Sequence, residues 1–313
     1  MAAIRVVKPG LLTTIQDRGR TGYGHLGVPQ GGALDGYAMR WAQRLAGCAE
    51  VDAVLEITLL GPTLEVLGDT YAGLAGADLG ALVNGEAWPA GTGRNLRSKD
   101  VISFTGPKEG LRAYLAFAGG VSGDLVLGSR ATDIQSRVGG LAGRALRAND
   151  ELEVGEGAGS PVQAPVPTLC GGERVRILPG PRHDQFPEDA LPTLTATRYR
   201  VTTQSDRVGM RLEGLPVPNA AGSTISEGVP IGAIEIPPSA QPIVLLHGRG
   251  TIGGYPVIAT AITADLPVLA QLRPGDALRF ELVGAQEARL ALEDLCGVFA
   301  LPFLPAIAGE SRK

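Results

Sequence analysis

Short apolar runs that alternate with polar residues recur along the whole chain: IRVV, TLEVLG, VISFTG, LRAYLAFAGG, ELEVG, VRILPG, YRVTT, AIEIPP, PIVLL and ALRFELV. They are rich in β-branched residues and bounded by Gly, Pro, Asn or Asp, the pattern of short strands joined by tight turns. The helical period occurs in only three places. LDGYAMRWAQRLAG predicts a helix from about Gly36 to Ala46, with Asp35 as N-cap and Gly47 as left-handed stop. ADLPVLAQL predicts a short helical turn starting at Asp265, and GAQEARLALEDLCG an amphipathic helix over Gln286–Leu295. Many strands and few helices predict a mainly-β fold of barrels or sandwiches.

The pattern also repeats itself. TTIQDRGRTGYGHLGVP (Thr13–Pro29) is echoed by TTQSDRVGMRLEGLPVP (Thr202–Pro218), and IRVVKPG by VRILPGP from Val175. LRSKDVISF, LRANDELEV and LRPGDALRF each place Leu-Arg, a turn and an Asp ahead of an alternating strand; such an Asp caps a turn. Between the halves, Gly155–Glu173 (GEGAGSPVQAPVPTLCGGE) has no period and is rich in Gly and Pro. We therefore expect two related β-rich domains, 1–157 and 172–313, joined by a linker at 158–171.

Composition narrows the picture. At 313 residues and 44% hydrophobic the chain can bury a sizeable core, but with 4% aromatics that core must be mostly Val, Leu, Ile and Ala. The 45 glycines and 23 prolines are spread throughout, as many turns require. A net charge of −4 without a basic stripe argues against a nucleic-acid partner. Three scattered cysteines argue for a reducing compartment, and the start MAAIRVVKPG lacks a signal peptide's apolar region. No run of 18 apolar residues offers a membrane span, so a cytoplasmic location is expected.

Two stretches are dense in chemistry. In the first, Gln16, Asp17, Arg18, Arg20, Tyr23 and His25 crowd ten residues, interleaved with glycines. An Asp-Arg pair beside glycine either holds a turn through the carboxylate or offers a guanidinium fork to an anion; the same holds for its echo, Asp206 and Arg207. The second, Ser226–Asp276, carries Glu227, Glu235, Gln241, His247, Arg249, Thr251, Gly253, Gly254, Tyr255, Asp265 and Gln271 between apolar strands. Its Gly-Gly-Tyr-Pro turn either starts a strand or lets backbone N–H groups face an anionic ligand. No phosphate-loop, dinucleotide-binding, zinc-helix or nucleophile-elbow motif is present.

Read together, GLLTTIQDRGRTGYGHLGVPQGGALDGYAMRWAQRLAG, LEITLLGPTLEV, SDRVGMRLEG, SEGVPIGAIEIPPSAQPIVLL and GGYPVIATAITADLPVLAQLRPGD are collinear with, and resemble, allophanate hydrolase subunit 2. That is the biotin-dependent carboxyltransferase-like family, which includes the prokaryotic 5-oxoprolinase C subunit. The resemblance covers about residues 4–282 and implies two cyclophilin-like β-barrels. It further implies work beside the 5-oxoprolinase B subunit (a subunit 1 homologue), and with the A subunit, in an ATP-dependent opening of 5-oxo-L-proline to L-glutamate. ATP and magnesium would be shared with the partner subunit. The alternatives it leaves open are a carboxyltransferase-type subunit of a urea amidolyase-like system and a regulatory protein antagonising a histidine-kinase inhibitor. No biotin-attachment Met-Lys motif is present, so biotin would arrive on another chain. The chain departs from the family pattern where Gly248-Arg249-Gly250-Thr251-Ile252 replaces Asp-Arg-Gln-Thr-Thr, and Glu235 stands where many members carry Gln. On this reading Asp17, His25, Glu227 and Arg249 are catalytic candidates. Gln16, Arg18, Arg20, Tyr23, Asp206, Arg207, Gln241, Thr251, Gly253, Gly254 and Tyr255 are substrate-binding candidates, with no metal cluster on this chain.

Overall fold

The computed structural model describes residues 2–157, 172–219 and 225–297; the expected linker at 158–171 lies outside them. The fold is mainly β, as the alternation predicts. In the N-terminal half one antiparallel sheet runs in the order 151–154, 2–8, 63–66, 101–104, 81–83, 86–87, and a second in the order 12–16, 54–58, 109–117, 70–78, 92–96. The two sheets enclose one core of Ile, Leu and Val side chains. The chain crosses between them at paired corners: Gly10 sits at φ +73°, and an added Cβ there would collide with the backbone of Leu60 and Gly61 at the second corner. The C-terminal half closes completely. Strands 174–179, 257–261, 233–235, 243–245, 209–213, 198–201 and 277–282 form a seven-stranded barrel sealed by the parallel pairing of 174–177 with 279–282. The two halves are thus both β-rich but differ in closure.

Four α-helices lie among the described residues. Helix α1 (Gly36–Ala46) has its N-cap at Asp35, which accepts a hydrogen bond from the Ala38 amide at 2.8 Å, and ends at Gly47 in left-handed conformation. It packs Tyr37, Ala38, Trp41 and Leu45 on the outer face of the second sheet. Strand 109–117 is therefore buried on both faces: Ala113, Leu115 and Phe117 point into the core between the sheets, Tyr114 and Ala116 toward α1. Helix α2 (Ala190–Ala196) escapes the sequence pattern because Pro192 and two threonines mask it; the proline is tolerated in the first turn, where N–H groups lack intrahelical partners. Helix α3 (Leu266–Gln271) follows a 3₁₀ turn at Thr263–Asp265, and α4 (Ala285–Gly297) rests lightly on the barrel. Among the described residues no helix is long and apolar enough to cross a membrane.

The halves are joined by a buried polar seam. Glu56, 1% exposed, pairs with Arg207 of the other half and accepts hydrogen bonds from the Leu34 amide (2.9 Å) and the Tyr114 hydroxyl (2.8 Å). Burial alone would raise the Glu56 carboxyl, but Arg207, Arg112 and these hydrogen bonds hold it below the usual range. Gln271 uses all its capacity across the seam: its Oε1 accepts from the Leu111 and Arg112 amides at 3.0 Å, and its Nε2 donates to Asp35 (2.7 Å) and the Arg112 carbonyl (3.0 Å). Leu34 completes the joint as an N-terminal side chain packed in the barrel core.

A short hairpin-like ribbon, 227–228 paired with 252–253 and joined through the barrel strands 233–235 and 243–245 rather than by a turn, lies over the outside of the barrel and covers Ala233, Ile243, Leu245 and Val257. Glu235, 6% exposed, is buried in the same neighbourhood, and an added Cβ on Gly253 would collide with its Oε1. Burial raises the Glu235 carboxyl above its ordinary range.

Two outcomes are expected. Replacing Glu56 by Ala strands the Arg207 guanidinium and removes the carboxylate that offsets the buried charge of Arg112, and should cost about 3–5 kcal/mol in chemical denaturation. Because the folded pKa of Glu235 is raised, its stabilising contribution is complete below the ordinary carboxylate range and is lost as pH rises through the folded value. Glu235→Gln should therefore gain in Tm over the parent as pH rises from about 4 to about 8, beginning near the ordinary carboxylate range; a constant difference across that range contradicts the assignment. Asp35, pushed up to about 6 by burial, titrates in both proteins and cancels in the comparison.

Candidate functional site

The first dense stretch forms a loop pinched at its base. The Arg20 amide donates to the Gln30 carbonyl at 2.7 Å and the Ala33 amide to the Asp17 carbonyl at 3.0 Å. Gly19 and Gly32 face each other so closely that a Cβ on either would strike the opposing backbone. The Asp17 carboxylate is occupied in holding this base: it accepts from the Gly19 amide (2.8 Å), the Ser129 hydroxyl (2.6 Å) and the Arg130 amide (2.5 Å). In the echo, Asp206 Oδ1 accepts from the amides of Val208 (2.8 Å) and Gly209 (3.0 Å). Both aspartates are turn-formers, which answers the first half of the Asp-Arg question. The arginines diverge: Arg18 is exposed and pairs with Glu50, whereas Arg207 crosses the seam to Glu56 and to the Gly32 carbonyl (2.6 Å).

The loop faces the hairpin across a polar cavity of about 620 Å³. Arg20, Thr21, His25 and Gln30 line one side, Arg249 and Thr251 the other, with glycines 22, 24, 27 and 228 between them. Its lining contains two guanidinium groups and an imidazole but no carboxylate. Arg20 forms a deep wall at 1% exposure; its Nη2 donates to the Ala131 carbonyl, while Nε and Nη1 are buried without a partner. Arg249 donates from Nε to the Val229 carbonyl at 2.9 Å, which ties it to the hairpin and fixes its reach. Burial lowers the pKa of both arginines, so an anion would relieve a desolvated charge. His247 stands behind this wall, where burial and the charges of Arg207 and Arg249 push it down to about 4, keeping it neutral near neutral pH.

The structure thus brings Arg20, His25, Arg249 and Thr251 to one cavity and leaves other candidates elsewhere. Gln16 is fully buried, its Nε2 donating to Thr14 and the Thr132 carbonyl. Gln241 clamps both backbone groups of Gly214 (2.9 and 3.1 Å). Glu227 pairs with Arg182 at 2.8 Å, and Gly253 is the hairpin's pairing partner for it. Tyr255 is 41% exposed, and neither it, Gly254 nor Tyr23 lines this cavity. Glu227, Gln241 and Tyr255 therefore do not meet Arg249 in one cleft, because the hairpin and the barrel strands aim them at different surroundings. Asp206 and Arg207 line a different cleft. Sequence reading did not single out Glu56, Arg112 or Tyr114: each sits in an apolar strand, and the one available signal is a charged or polar residue breaking an otherwise buried run.

Known proteins fit this architecture. A family model described as carboxyltransferase domain, subdomain A and B, matches residues 26–282. The chain is similar to the 5-oxoprolinase C subunit of Escherichia coli (strain K12), 34% identical over 93% of this chain and 94% of that protein. It is also similar to the 5-oxoprolinase C subunit of Haemophilus influenzae, 31% identical over 88% of this chain and 89% of that protein. The crystal structure of Kluyveromyces lactis urea carboxylase aligns with a TM-score of 0.87 at 29% identity, over 93% of this chain but only 28% of that one. By the extent of the family match and its likeness to full-length relatives, the chain belongs to the carboxyltransferase-domain family built of subdomains A and B.

Proposed function

We propose that this chain is the C subunit of an ATP-dependent 5-oxoprolinase, contributing half of a composite site that opens 5-oxo-L-proline to L-glutamate while ATP becomes ADP and phosphate. The observation that carries the reading is the carboxylate-free cavity between the Thr21–Gln30 loop and the hairpin, walled by Arg20 and Arg249. Likeness to 5-oxoprolinase C subunits along nearly their whole length supports it.

A lactam resists water at neutral pH; phosphorylation of its oxygen makes the carbon electrophilic, so that water adds. The C–N bond then breaks with the nitrogen leaving as a protonated amine, and a second water hydrolyses the acyl phosphate to carboxylate and phosphate. Groups that stabilise such a step must meet charge as it develops on phosphoryl and lactam oxygens. Arg249, tethered through Nε, presents the rest of its guanidinium, and Arg20 adds positive potential from behind. The glycines of the loop let backbone approach phosphate oxygens, with Gly22 at φ +97° and Gly27 at φ +78° in conformations that side chains resist. His25 brings an imidazole that can donate or accept a hydrogen bond. Among the described residues no group of three His, Cys, Asp or Glu could hold a metal ion. The cationic, carboxylate-free lining suits phosphate oxygens, and magnesium would be shared with the B subunit.

A second reading, a carboxyltransferase acting on biotin carried by another chain, is favoured by the family description and the urea carboxylase fold. The same cavity would then bind the carboxylate being transferred. Assaying the assembled complex for 5-oxoproline-dependent ATP hydrolysis, and separately for biotin-dependent carboxyl transfer, separates the two.

The isolated chain should be inactive, and addition of the B subunit together with the A subunit should restore ATP-dependent glutamate formation; turnover by the chain alone overturns the composite-site reading. In the assembled complex Arg249→Ala should lower kcat at least tenfold, while losing about 1 kcal/mol of stability with the bond to Val229. Full activity in a folded, assembled Arg249→Ala variant would remove this guanidinium from the mechanism.

A further inference from the structure

A second cleft, of about 410 Å³, opens along the seam and shares no lining residue with the polar cavity. Leu12, Leu59 and Leu111 wall it from the N-terminal half, and Val208, Met210 and Leu272 from the barrel. Its size and apolar walls with a few polar groups are those of small-molecule sites, and such sites favour junctions between domains.

The polar groups are unevenly placed. Arg112, 6% exposed, lines the cleft. One guanidinium nitrogen donates to the Ala270 carbonyl at 2.5 Å, but Nε is buried without a partner. The neighbouring acceptors are already committed. Glu56 serves Arg207, Leu34 and Tyr114; Asp35 serves Ala38 and Gln271; Gln271 Oε1 serves the amides of Leu111 and Arg112. A buried donor left unmade is costly, and a charged one more so. Arg207 adds a second guanidinium to the same wall. Toward the mouth the wall turns apolar again, with Leu11 60% and Ile134 41% exposed, and carries Asp133 and Asp206. These carboxylates disfavour an anion held at the rim and leave the arginine wall as the place for a negative head group.

We propose that the seam cleft binds a small amphipathic monocarboxylate, its carboxylate against Arg112 and its apolar body between the facing leucine-rich walls. Because both halves contribute to the walls, occupancy ties the halves together without touching the polar cavity. The inference is independent of the reaction proposed above.

Titration calorimetry on the full chain tests it, with octanoate as probe. Octanoate should bind saturably and at least tenfold more tightly than octanamide, which lacks the charge, and acetate, which lacks the apolar body, should not bind measurably. Val208→Trp and Ile134→Trp, one filling the cleft and one its mouth, should each abolish octanoate binding in protein that still shows a cooperative melt. Equal affinity for octanoate and octanamide overturns the role of Arg112, and binding that survives in a folded tryptophan variant overturns the location. If octanoate binds the chain alone but not its complex with the B subunit, the cleft is a contact between subunits and the proposal fails.

Discussion

The ion pair between Glu56 and Arg207 is the constraint on which the rest of the molecule depends. A carboxylate and a guanidinium withdrawn from water are costly to bury unless each is fully satisfied. Here satisfaction requires groups from both halves at once. Glu56 comes from a central strand of the N-terminal sheets, Arg207 from the barrel, and Leu34, Tyr114, Asp35 and Gln271 fill the remaining positions. A displacement of one half relative to the other would leave several buried donors and acceptors unpaired together, so the seam enforces one relative placement as well as cohesion.

That placement builds the polar cavity. The Thr21–Gln30 loop leaves the N-terminal half just before Leu34 and Asp35, which are both anchored in the seam, so the loop's exit is held by the same network. Its entrance is held by Asp17. Opposite it, Arg249 follows directly on His247 and Gly248, beside Arg207. The two cationic walls of the cavity are therefore set by the same bonds that join the halves, and the cavity exists only in the joined molecule.

The hairpin adds a different kind of control. It lies on the outer face of the barrel, where apolar side chains and Glu235 would otherwise be open to solvent. A neutral Glu235 carboxyl offers one donor and one acceptor under this cover. An ionised one under the same cover is penalised by burial. The hairpin beside Thr251 is thus packed over a carboxyl whose burial favours its neutral form.

How much was legible before any coordinates follows from the range of the forces involved. Local rules decided the strands and the limits of helix α1 with its Asp35 cap and Gly47 stop, since each depends on residues a few positions apart. The turn-forming role of the paired aspartates, candidates for chemistry in the sequence, was decided by their hydrogen bonds in the fold. The density of polar residues between Gln16 and His25 marked a candidate site for the same reason. What alternation cannot convey is which faces meet. Arg18 and Arg207 occupy equivalent places in two copies of one motif, yet one reaches a surface glutamate and the other a buried one 151 positions away. Gln241 and Glu227 look as available as Arg249 in the sequence, but strand direction sends them to Gly214 and Arg182. Glu56, Arg112 and Tyr114 read as irregularities in apolar strands until the second half is brought against the first. Their partners are distant in the chain, and burial, which makes their pairing decisive, is a property of the assembled structure alone.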